Sequence, residues 1–75
     1  MKIFVKRVTG KTIVIDVEKD EKISAIKRKI HEKEGLNPDK QKLIFLGIEL
    51  EDDKTFNYYD TSSCATFHFI LRMST

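Results

Sequence analysis

One cysteine, Cys64, is all the thiol chemistry in the chain, so no intrachain disulfide can form and a zinc site built on paired cysteines is excluded. A reducing compartment suits such a sequence. Tryptophan is absent, and five Phe and two Tyr supply the bulky core material instead. No apolar run approaches transmembrane length, and the opening Met1-Lys2-Ile3-Phe4-Val5-Lys6 alternates too quickly for a secretory leader. The expectation is a soluble protein of the cytoplasm and/or nucleus with no membrane partner. An excess of one charge is also missing: 14 basic residues face 12 acidic ones for a net +2, interleaved as in Glu32-Lys33-Glu34. Nucleic acid, which selects a concentrated basic stripe, is therefore not an expected partner.

What remains is enough for one small domain over residues 1–75, a length at which one core only just outweighs chain entropy. Two strands are predicted near the start. Met1, Ile3 and Val5 alternate with Lys2, Phe4 and Lys6, and Ile13, Ile15 and Val17 alternate with Thr12, Val14 and Asp16. Val8-Thr9-Gly10-Lys11 joins them, with Gly10 suited to a bulged hairpin turn. The period then changes. Ile23, Ile26 and Ile30 recur at helical spacing, Gly35 fits the C-terminal cap and Pro38 stops the helix from continuing. Its start is poorly marked, because Lys22 lacks the side-chain acceptor of a good N-cap.

Beyond the helix, Gln41 to Phe45 reads as a third strand, Gly47 as a turn and Ile48 to Leu50 as a short fourth. Glu51 to Ala65 is polar and irregular, with Phe56 and Tyr59 as core anchors. The closing TFHFILRMST alternates again, with Phe67, Phe69, Leu71 and Met73 opposite in phase to Thr66, His68, Ile70 and Arg72. Strands on both sides of one helix make an α+β domain.

The run MKIFVKRVTGKTI, the helix end KEG, NPDKQKLIF and the following LG, then LEDDKT, Tyr59 and TFHFILR together resemble the ubiquitin family. The likeness runs without a gap over residues 1–73. It implies a β-grasp fold: a mixed five-stranded sheet packed on one helix, with the first and last strands parallel neighbours in its middle. It also implies a non-enzymatic chain without cofactor or metal, a monomer that works through its surface. The implied docking patch is Val8, Ile44, Gly47, His68 and Ile70, on the sheet face away from the helix, and ubiquitin-binding domains or other ubiquitin-pathway proteins are the implied partners. Period-two reasoning agrees for His68, Ile70 and Ile44, which lie opposite in phase to Phe69, Leu71, Leu43 and Phe45. Lys6, Lys42, Leu46, Ile48 and Arg72 form the rim. His68 and Cys64 have no third orienting group in a set pattern, which argues against a Cys-His enzyme.

The departures from the family are as informative. Its modifiers close on Gly-Gly, whereas this sequence reads Arg72-Met73-Ser74-Thr75, with a β-branched residue where glycine is required. Standard activation is not expected. The alternative is a modifier released from a polyprotein and activated by another route, such as an intein-like step. Lys6, Lys11, Lys29 and Lys33 remain as candidate modification sites, while two heavily used chain-linking positions are Ile48 and Ser63. Thr61 stands where the family buries isoleucine, and Phe56, Phe67 and Phe69 replace smaller aliphatics. The resemblance further sets Lys27 against the loop after Leu50, implying an ion pair with Asp52 whose one-sided loss costs on the order of 3 kcal/mol.

Overall fold

β1 (Lys2–Arg7) and β2 (Thr12–Asp16) form an antiparallel hairpin in which Phe4 faces Val14 and Val5 faces Ile13. Its four-residue connection, Val8-Thr9-Gly10-Lys11, is closed by the Gly10 N–H donating to the Arg7 carbonyl at 2.9 Å and the Arg7 N–H donating to the Lys11 carbonyl at 2.8 Å. Gly10 has φ 98°, the positive value a bulged turn of this kind requires. The computed structural model describes residues 2–59 and 68–73. Met1, Thr61, Ser63, Cys64, Ala65, Thr66, Phe67, Ser74 and Thr75, named above, lie outside them, as does the later part of the Glu51 to Ala65 stretch.

α1 (Ile23–Glu34) buries Ile23, Ile26, Lys27 and Ile30. Lys22 makes no side-chain cap, as its chemistry predicts. The orphan N–H groups are satisfied from a distant loop instead: Ile23 donates to the Lys54 carbonyl at 2.9 Å and Ser24 to the Asp52 carbonyl at 3.2 Å. At the other end Gly35 adopts φ 73° and its N–H donates to the His31 carbonyl at 2.7 Å. Pro38 does more than stop the helix. It opens a short 3₁₀ turn, Pro38–Lys40, capped by the Asn37 side chain accepting from the Asp39 N–H.

β3 (Gln41–Phe45) and β4 (Ile48–Glu49) form the second hairpin, in which Phe45 faces Ile48. Leu46 and Gly47 both have positive φ, 52° and 79°, which is how a two-residue hairpin matches the strand twist. Gln41 is buried, and its amide donates to the carbonyls of Lys27 and Leu36, both at 3.0 Å, tying helix, loop and strand together. The stretch after Leu50 contains a 3₁₀ turn, Phe56–Tyr59. Both expected anchors hold: Phe56 is buried, and the half-buried Tyr59 accepts the Glu51 N–H at its hydroxyl at 2.7 Å.

β5 (His68–Met73) completes one sheet with the order β2-β1-β5-β3-β4. It runs parallel to β1 and antiparallel to β3. The mixed five-stranded sheet on one helix is thus the β-grasp arrangement that the resemblance implied. Ile3, Val5, Leu43 and Leu71 face Ile23, Ile26 and Ile30 of the helix in one core. Phe69 fills its middle, with ring centroids 4.7 Å from Phe45 and 5.9 Å from Phe56.

Candidate functional site

Every second residue of the central strands must leave the core, and sheet register decides which of these meet. On the face away from α1, Ile44 of β3 lies opposite Ile70 of β5, and Ile70 also pairs with Lys6 of β1. Ile70 is 49% exposed and Ile44 half-buried, so the two isoleucines shield each other without entering the core. His68, two residues before Ile70, is exposed on the same face. Val8 is 77% exposed in the β1–β2 turn. It lines an open groove with Ile70 and Met73, whose walls are the cations Lys6, Arg7 and Arg72.

The expected patch residues Val8, Ile44, His68 and Ile70 therefore assemble around one surface. Gly47 contributes differently, as the second residue of the hairpin turn that follows Ile44. Of the rim, Lys42 pairs with Arg72 across β3 and β5, which puts two positive charges beyond the isoleucines. Leu46 is 73% exposed and Ile48 55%, so the β3–β4 hairpin presents a second aliphatic ridge. An apolar centre with a charged border is the anatomy of a protein-docking surface.

Two further residues belong to this face. Phe4 stacks on His68 with ring centroids 5.5 Å apart, and its neighbour on the other side is the partly exposed Val14. Their alternation was readable, since Phe4 and Val14 fall in the outward phase of their strands. What joins Phe4 to His68 is the parallel β1–β5 register, which no local pattern carries.

The residues that match run through almost the whole chain: the ubiquitin-family model covers residues 3–74. The chain belongs to the ubiquitin family. This ubiquitin-like domain is 41% identical to the ubiquitin-like protein NEDD8 of Dictyostelium discoideum, over 97% of its own length and 95% of the relative's. It is 38% identical to ubiquitin-like protein 1 of Schizosaccharomyces pombe, over 97% and 94% of the two chains. A third similarity, 35% over 88% of this chain, is to splicing factor 3A subunit 1 of Mus musculus, where it accounts for 8% of that protein.

The candidate modification lysines do not share one environment. Lys11 is paired with Glu34 at 2.9 Å. Lys29 contacts Glu21 at 2.7 Å and donates to the Asp16 carbonyl at 2.8 Å, and Lys33 donates to the Val14 carbonyl at 2.9 Å. Lys6 is exposed beside Ile70. The implied Lys27–Asp52 pair is present at 2.6 Å, but its two ends differ: the Lys27 side chain is 9% exposed and that of Asp52 61%.

Proposed function

We propose that this ubiquitin-like domain is a non-enzymatic interaction module that docks ubiquitin-recognising proteins of the ubiquitin pathway through the outer sheet face. The observation that carries this reading is the register setting Ile44 against Ile70 in the middle of the sheet, with Val8 and His68 beside them and their strand neighbours turned inward. Burial of both isoleucines by a partner supplies affinity, while Lys6, Lys42 and Arg72 orient its acidic groups.

Titration of the domain with a three-helix ubiquitin-recognising domain tests it. Ile44→Ala should weaken binding by about fivefold or more, equal to about 1 kcal/mol. Equal affinity for a correctly folded Ile44→Ala protein would remove the patch as the docking site.

A second reading, that the domain is itself a modifier, is favoured by its near end-to-end similarity to ubiquitin-like proteins such as the Dictyostelium NEDD8. Against standard activation stands Thr75 at the position of the family's first terminal glycine. Incubation with a ubiquitin- or NEDD8-activating enzyme and ATP is expected to give no thioester. A reductant-sensitive adduct on a gel would replace the first reading with the second.

A further inference from the structure

An edge strand presents unpaired N–H and C=O groups to solvent, and β2 is one of the two edges of this sheet. Its odd-numbered residues face β1: Ile13 pairs with Val5, Ile15 with Ile3, and the Lys11 carbonyl accepts from Arg7. The backbone groups of Thr12, Val14 and Asp16 therefore point outward. Helix α1 reaches over this edge. Lys33 Nζ donates to the Val14 carbonyl at 2.9 Å and Lys29 Nζ to the Asp16 carbonyl at 2.8 Å. Four helix residues rise about 6 Å and two strand residues about 6.7 Å, so the lysine spacing matches that of the exposed carbonyls. The Lys11–Glu34 pair continues the same row.

We propose that Lys29 and Lys33 hold β2 closed against pairing with a second copy of this chain, and that β2 is a latent self-association edge. The strand is complementary to itself. A two-fold axis through Val14 sets Val14 against Val14 and Thr12 against Asp16, with each outward N–H facing an outward carbonyl. With the observed β1–β2 register, the solvent face of the seam then reads Phe4-Val14-Val14-Phe4 in one row and Lys6-Thr12-Asp16-Lys2 in the next. The first row is apolar throughout, and the second sets each carboxylate between a threonine and a lysine, with no like charges adjacent. The caps oppose this pairing twice over. They occupy the carbonyls that the second strand would use, and closing the seam would bring four ammonium groups together.

Lys33 is the variant of choice because it covers the carbonyl on the proposed axis. Sedimentation equilibrium should find the unaltered domain monomeric. Lys33→Met, and more so Lys29→Met with Lys33→Met, should tighten self-association by about tenfold or more, with amide exchange at Val14 and Asp16 slowed by a similar factor. Lys29→Arg with Lys33→Arg keeps both donors and should stay monomeric. Val14→Pro deletes the outward N–H without touching the β1 ladder and should dissolve the Met-variant dimer. The proposal is overturned if the Met variants stay monomeric, or if the unaltered domain associates equally well. It is equally overturned if their association survives Val14→Pro or is abolished by Ile44→Ala, which would locate it on the sheet face.

Discussion

Removing either member of the Lys27–Asp52 pair breaks the same 2.6 Å contact, yet the two losses should differ in size. In Lys27→Met the unbranched stem stays in its buried position and the ammonium disappears. Asp52, 61% exposed, simply takes up water. The net cost is the charge-assisted bond less the relieved desolvation of the lysine, about 1 kcal/mol or below. In Asp52→Ala the ammonium is left in a side chain that is only 9% exposed. Stranding a buried charge costs about 3 kcal/mol, so the expectation of that size taken from the sequence belongs to loss of the aspartate rather than of the lysine. For a domain of this length the difference corresponds to roughly 10 °C in thermal midpoint. Denaturant unfolding of Lys27→Met, Asp52→Ala and the double variant provides the assay. The double variant should fall close to Lys27→Met, because the stranded charge has gone. If Asp52→Ala is as stable as Lys27→Met, burial of the ammonium is not what makes this pair matter.

Ile30→Ala, which truncates a fully buried side chain, should cost about 2 to 5 kcal/mol in denaturant unfolding, whereas Ile44→Ala should cost about 1 kcal/mol. Equal losses would mean that β3 turns Ile44 into the core. Leu46→Asn places a residue that tolerates positive φ where leucine is strained at φ 52°, and should stabilise by about 1 kcal/mol. The same change removes the most exposed aliphatic of the β3–β4 ridge, so titration should show weaker docking if partners use Leu46. Phe4→Ala removes the ring stacked on His68, and should lower partner affinity about threefold with little effect on the thermal midpoint if the docking face extends across β1.

Period-two alternation marked β1, β2, β3 and β5, because one face of each is buried in the core and a slip of one residue would expose it, whereas the two residues of β4 are both exposed and only the Gly47 turn before them announced that strand. The same phase argument placed Ile44, His68 and Ile70 outside. Features made by residues distant in sequence escaped it. The N-terminus of α1 looked uncapped because its partners, the carbonyls of Asp52 and Lys54, come from the loop after β4. Phe4 falls in the outward phase of its strand, but the ring it stacks on, His68, is brought beside it by β5. The strand order itself came from the family resemblance, since local patterns specify elements rather than their neighbours. Ile48 to Leu50 read as one strand. The pairing assigned to β4 ends at Glu49, although the Leu50 N–H still donates to the Leu43 carbonyl at 2.8 Å.

The central place of β5 has a consequence for when the domain becomes functional. The β1–β2 hairpin and α1 are local and can form early, but the β1–β5 pair joins opposite ends of the sequence and must wait for a large loop to close. Until it does, the β1–β2 hairpin stays apart from the β5-β3-β4 side of the sheet. His68 and Ile70 arrive only with that last strand, and Ile44 acquires its neighbour at the same moment. The face proposed for docking, with Phe4 stacked on His68 and Ile70 between Ile44 and Lys6, is complete only when both pairings of β5 exist, so a partner that needs all of it should bind only a chain whose sheet has closed.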